Sequence, residues 1–181
     1  MYRSIIEALK PLAQQQAVDP RLINLGGGWH SVNREEMGGV LAEARSAFPA
    51  PCSIVLEPGR WYAKNSGFAV GNIVNQTRPG DTVQYVVDLS KDCHLNWSNV
   101  RLIYPTHSRP NKFCEVQFFG ASCHEQDMIG KFMLPYDSDF FSESGLATGE
   151  RVVFSNVSTY SVGWNASFNG IPEAEIAWWN A

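Results

Sequence analysis

Apolar and polar residues alternate along this chain in two textures. From Arg3 to Gln16 they recur at helical spacing, with Pro11 as a point of disturbance, and predict a helix. Arg21 to Leu25 reads as a short strand running into three glycines. Glu35 to Phe48 reads as a second helix, with Asn33 as its cap and Glu36 placed to reach back as in a capping box. Ser53 to Leu56 reads as a buried strand, and Tyr62 to Val74 as a third helix. The order strand, helix, strand, helix predicts parallel pairing.

After Arg78-Pro79-Gly80-Asp81 the texture changes to short β-rich runs. These are Thr82 to Asp88, Val100 to Tyr104, Glu115 to Phe119 and Glu150 to Phe154, separated by Gly, Pro, Asn and Ser. Such runs predict a small antiparallel sheet or barrel. The expected organisation is an α/β part over 1–76 followed by an all-β domain over 77–181.

The chain has 181 residues and a formal charge of -4, with no basic block or alternation of basic and aromatic residues that would suit nucleic acid. It carries no apolar run of membrane-spanning length and no secretory pattern at Met1, so a cytoplasmic protein is expected. Cys52, Cys93, Cys114 and Cys123 form no CxxC pair and are expected as free thiols, mostly buried. His30, His94 and His107 lack metal-ligand spacing, and no metal site is expected. Trp178-Trp179 reads as core or interface packing.

Two motifs carry chemistry. Gly26-Gly27-Gly28 follows a strand, and consecutive glycines let backbone N–H groups approach an anion without side-chain obstruction. Taken alone, the cluster is equally compatible with a plain tight turn. Glu57-Pro58-Gly59-Arg60 sits where a strand ends and a helix begins. A surface Glu-Arg pair is the plain reading. At the carboxyl end of a parallel strand, however, such a carboxylate is placed for a site, and Arg60 offers a planar fork of donors to a phosphate.

In order along the chain, INLGGGW, IVLEPGR, the Phe119–Asp127 segment FGASCHEQD, Gly149–Phe154 leading to Ser158-Thr159-Tyr160, and Ser167-Phe168-Asn169-Gly170 resemble the C-terminal half of the fold-type III pyridoxal-phosphate-dependent decarboxylases, the ornithine/diaminopimelate/arginine decarboxylase family. The resemblance covers about residues 20–172. It implies the last strand-helix units of a TIM-type barrel followed by a β domain like that of alanine racemase. It implies that Gly26, Gly27 and Gly28, with Gly59 in the second motif, form the cofactor's phosphate surroundings. Glu57 would face the pyridine nitrogen, and Arg60 and Tyr160 would contact the phosphate. Cys123 would enter a neighbouring subunit's site and supply the proton that replaces carbon dioxide. His124, Glu125 and Asp88 would lie toward the substrate, a small amino acid on a route such as polyamine or lysine synthesis.

Departures from the family pattern shape the expectation. None of Lys10, Lys64, Lys91, Lys112 and Lys131 stands in the context of the family's Schiff-base lysine. His124 stands where the family places an acid after the cysteine, and Asp88-Leu89-Ser90 replaces an Asp-Gly turn. The chain is therefore expected to be inactive alone, and to work as a homodimer or with a lysine-bearing N-terminal half. The alternative is a non-catalytic protein that docks on an intact decarboxylase through the Cys123 segment.

Overall fold

A computed structural model describes residues 1–14, 20–104, 113–135 and 146–178. The chain divides into two compact units, Met1–Tyr62 and Ala63–Ala181.

The first unit contains α1 (Tyr2–Gln14), β1 (Leu22–Asn24), α2 (Arg34–Ala47), β2 (Ser53–Val55) and the start of α3 (Gly59–Ala63). The α1 helix runs through Pro11; the last residues of its expected span, 15–16, lie outside the described residues. The expected capping box closes α2: the Glu36 N–H donates to Asn33 Oδ1 at 2.8 Å, and the Asn33 N–H donates to Glu36 Oε2 at 3.1 Å. As the strand-helix order implied, β1 and β2 pair in parallel, with Leu22 opposite Ser53 and Asn24 opposite Val55. Ile6, Leu25, Trp29, Val40, Ala44 and Phe48 form the core of this unit.

The second unit is built on a six-stranded sheet in the order β5-β8-β3-β4-β6-β7. Its strands are β3 (Gly67–Thr77), β4 (Val83–Val87), β5 (Arg101–Ile103), β6 (Phe113–Gly120), β7 (Met128–Pro135) and β8 (Arg151–Val157). The short helix α4 (Thr159–Gly163) follows β8. Period-two burial drives the assembly. Val83, Tyr85 and Val87 of β4 point inward, as do Val116 and Phe118 of β6 and Val152 and Phe154 of β8. Phe118 packs against Tyr85 at 5.1 Å and against Phe154 at 5.5 Å between ring centroids. The Tyr85 hydroxyl accepts a hydrogen bond from the Leu146 N–H at 2.9 Å, and burial pushes its pKa up.

Several expectations are corrected. Tyr62–Val74 is not a helix: α3 ends at Ala63 and β3 begins at Gly67. Phe68, Val70 and Val74 lie on the exposed side of β3 while Ile73 is buried, so both faces carry apolar residues and the alternation is masked. Because β3 pairs with both β4 and β8, the sheet runs across residue 76, and the units divide at Tyr62/Ala63 instead. The sheet is mixed rather than antiparallel. The long connection from Val87 to Phe113 lets β6 run in the same direction as β4, with Tyr85 opposite Phe118. Finally, the apolar run Met128–Pro135, to which the pattern assigns no element, is β7, antiparallel to β6.

Among the described residues no helix is long and apolar enough to cross a membrane, and no cluster of His, Cys, Asp and Glu could hold a metal ion. All four cysteines are free; Cys52 and Cys93 are buried, and Cys123 is exposed. Trp178 is 82% exposed, which overturns core packing for that residue; Trp179 and His107 lie outside the described residues.

Candidate functional site

Parallel pairing brings the two sequence motifs of the first unit together. The ladder between β1 and β2 continues past their ends: the Leu25 N–H donates to Val55 O at 2.9 Å, and the Glu57 N–H donates to Gly26 O at 2.9 Å. The triple glycine and Glu57 therefore lie side by side beyond the carboxyl ends of adjacent strands, where sites of α/β proteins form. A Cβ added at Gly27 would stand 3.1 Å from the Glu57 carbonyl oxygen, so only glycine allows this approach without displacement.

Asn24, which the motif reading passed over, organises the cluster. Its Oδ1 accepts from the Gly26 N–H at 2.8 Å, while its Nδ2 donates to Glu57 Oε1 at 2.7 Å. The first bond is an Asx turn, and an Asn two residues before a glycine is the signal that could have found it. The second holds one carboxylate oxygen of an otherwise exposed side chain. The Gly59 N–H donates to Glu57 O at 2.8 Å and starts α3, on which Arg60 Nη1 lies 3.1 Å from His30 Nε2. An acceptor carboxylate, a guanidinium and glycine amides thus share one region of the first unit. This set matches a ligand with a protonated ring nitrogen and a phosphate.

In the second unit Cys123, His124 and Glu125 form an exposed turn between β6 and β7. Cys123 adopts φ 59°, uncommon for a residue with a side chain, and its Sγ lies 3.9 Å from Ala121 O. The turn is held from beneath by Asp127, which is buried. One of its oxygens accepts from the Lys91 N–H at 2.5 Å; the other accepts from Ser122 Oγ at 2.5 Å and from the Ser122 N–H at 3.3 Å. A Cβ at Gly120 would strike the same carboxylate. His124 Nδ1 lies 2.7 Å from Asp92 Oδ2, and Asn169 Nδ2 donates to Ser122 O at 2.9 Å. The Ala121 N–H donates to Leu89 O at 3.2 Å. The segments FGASCHEQD, Asp88-Leu89-Ser90 and Ser-Phe-Asn-Gly therefore meet in one cluster.

Asp88 itself is turned to the sheet: it accepts from the Asn72 N–H and from Asn72 Nδ2, both at 2.7 Å. Tyr160 is 42% exposed near the start of α4, where Ser158 caps the helix by accepting from the Tyr160 N–H at 3.2 Å. The helix is moored by serines: the Ser158 N–H donates to Ser98 Oγ at 2.9 Å, and Ser98 Oγ and Ser161 Oγ lie 2.5 Å apart. No sequence signal marks Asp92 as the partner of His124, because the contact joins residues far apart in the chain.

Lys91 is engaged within the second unit. Its Nζ donates to Leu95 O at 3.1 Å and to Ser98 O at 2.6 Å, and burial pushes its pKa below the ordinary 10.5, partly opposed by the Asp92 charge. The folded chain then releases this proton at lower pH than the unfolded chain. Between the lowered value and 10.5 the unfolded state binds more protons, so stability rises with pH there. Denaturant unfolding of wild type and Lys91→Met across pH 8 to 11 should show wild type gaining on the variant as pH rises; equal slopes would contradict the burial.

No family model matches the chain, and no curated protein matches it. Solved structures do. The arginine decarboxylase of Paramecium bursaria Chlorella virus, bound to agmatine, superposes with a TM-score of 0.73 at 21% identity, covering 95% of this chain and 48% of that one. A point mutant of the diaminopimelate decarboxylase of Helicobacter pylori, complexed with L-lysine, gives 0.65 at 19% identity, covering 96% and 44%. The carboxynorspermidine decarboxylase of Campylobacter jejuni, complexed with norspermidine, gives 0.62 at 16% identity, covering 94% and 48%. The chain spans about half the length of these structures. Over nearly its whole length it therefore shares the fold of one half of the fold-type III decarboxylases.

Proposed function

We propose that this chain is the C-terminal segment of a pyridoxal-phosphate-dependent amino-acid decarboxylase, working with a lysine-bearing half in the cytoplasm. Residues of the first unit would supply the last strand-helix units of a TIM-type barrel, and the second unit the β domain. The observation that carries the reading is the joint placement of Gly26–Gly28 and Glu57 at the same ends of two parallel strands. The glycine amides and Arg60 of the first unit would hold the phosphate. Glu57, steadied by Asn24, accepts from the protonated pyridine nitrogen.

Pyridoxal phosphate held by these residues would supply an electron sink for decarboxylation. The protein's part is binding, orientation and proton control. The Glu57 carboxylate keeps a proton on the ring nitrogen. Cys123 delivers the proton to the α-carbon from a dimer-related copy. His124 and Glu125 line the approach of the substrate's side chain, whereas Asp88, expected beside them, is taken up by Asn72. Lys10, Lys64, Lys91, Lys112 and Lys131 are outside the family's lysine context, and the cofactor lysine would be supplied by the lysine-bearing half.

Titration of the purified chain with pyridoxal 5'-phosphate should give weak but saturable binding, competed by inorganic phosphate. Arg60→Ala or Glu57→Ala should weaken it about 10- to 100-fold, the loss of a charge-assisted contact. Absence of saturable binding by wild type, or unchanged affinity in both variants, would sink the assignment.

A further inference from the structure

We infer that Tyr2 and Trp29 are positioning residues that make the Gly26–Gly28 loop present hydrogen-bond donors only, fitting it to an acceptor-only anion such as a phosphate monoester. The inference rests on the reading of this loop as the phosphate site.

Every carbonyl of the loop has a partner. Trp29 Nε1 donates to Gly26 O at 2.7 Å, and the Glu57 N–H donates to the same oxygen at 2.9 Å. The Tyr2 hydroxyl donates to Gly27 O at 2.5 Å, and Ser31 Oγ donates to Gly28 O at 3.2 Å. Across a trans peptide the C=O and the following N–H point in opposite directions. Both loop peptides are trans. Drawing Gly26 O toward Trp29 therefore turns the Gly27 N–H away, and drawing Gly27 O toward Tyr2 turns the Gly28 N–H away. Neither amide donates to a protein acceptor among the described residues.

The two side chains form a stiff support. Their rings stack with centroids 3.9 Å apart and an interplanar angle of 9°, and both are buried. Buried Trp N–H and Tyr O–H groups need acceptors. A flip of either glycine peptide would strip one of them of its partner and turn a carbonyl oxygen toward the ligand. Gly26 and Gly28 have φ of 70° and 86°, the left-handed backbone that lets successive amides converge on an anion. The close seat of Tyr2 also requires Gly28 to be glycine: a Cβ there would lie 2.9 Å from the hydroxyl.

The test follows the Gly27 and Gly28 amide resonances of the full ¹⁵N-labelled chain during titration with inorganic phosphate and, separately, pyridoxal 5'-phosphate. In wild type both amides should shift and saturate together. Tyr2→Phe keeps the ring stack and removes only the hydroxyl; it should weaken binding about tenfold and reduce the Gly28 response more than that of Gly27. Trp29→Phe should reduce the Gly27 response more. Arg60→Ala should weaken binding while both amides still respond at saturation, separating loss of charge from loss of loop orientation. A purely structural role would lower the melting temperature of Tyr2→Phe yet leave wild-type affinity and equal amide responses, and that result overturns the inference while leaving the site itself standing. Failure of wild type to bind either probe overturns the site and the inference together. Should Trp29→Phe fail to fold, the Tyr2→Phe comparison decides alone.

Discussion

Replacing Cys123 by alanine should lower decarboxylation by the chain, assembled with a lysine-bearing half, by about 10²- to 10⁴-fold, the range for loss of a positioned proton donor. Cys123 is exposed, and its one described polar contact is the 3.9 Å approach of Sγ to Ala121 O. Removing a surface thiol therefore costs little stability, on the order of 0.5 kcal/mol or less. The turn that presents it is held by Asp127, Asn169 and Leu89 rather than by the thiol. A large loss of rate with an unchanged melting temperature is the expected combination. Equal rates for Cys123→Ala and wild type would remove Cys123 from the chemistry.

Asp127→Ala should have the opposite signature, a loss of fold. The carboxylate is 1% exposed and receives Ser122 Oγ, the Ser122 N–H and the Lys91 N–H. Its removal leaves the buried Ser122 hydroxyl and amide without their acceptor, each costing about 1–3 kcal/mol, and the part-buried Lys91 amide as well. It also leaves space above Gly120, where the carboxylate now lies. The expected destabilisation is about 3–5 kcal/mol, measured by urea unfolding of the second unit's transition. Asp127→Asn should lose less, because an amide oxygen still accepts. A change below about 1 kcal/mol for Asp127→Ala would show that the network does not support the turn.

Local chemistry was legible in the sequence where it acts within a few residues. The Asn33–Glu36 box closes α2 with both its hydrogen bonds. The apolar runs before the triple glycine and before Glu57 pair in parallel, so both motifs emerge at the same strand ends. The β-rich runs after residue 80 are strands. What escaped depends on surroundings. Phe68 and Val70 are apolar yet exposed, which erased the alternation that identifies β3 and displaced the unit boundary. The parallel pairing of β4 with β6 is a choice of topology that no short pattern encodes. Within the candidate site, the glycines, Glu57 and Arg60 were visible as motifs. The groups that orient them were not. Tyr2 reaches Gly27 from α1, and Asp92 meets His124 across 32 positions. These long-range contacts, rather than the motif residues, decide which way the amides and the imidazole point.

If this chain contributes half of a decarboxylase, carbon dioxide is released only when both halves are present. Ornithine, lysine, arginine and diaminopimelate would be supplied in turn, with pyridoxal 5'-phosphate, to the chain alone, to a lysine-bearing half of this fold alone, and to the two co-expressed. Release by the co-expressed pair only, abolished by Glu57→Ala or Arg60→Ala, is the predicted result. Steady turnover by the chain alone, or no turnover by a pair that co-purifies and binds the cofactor, would contradict it.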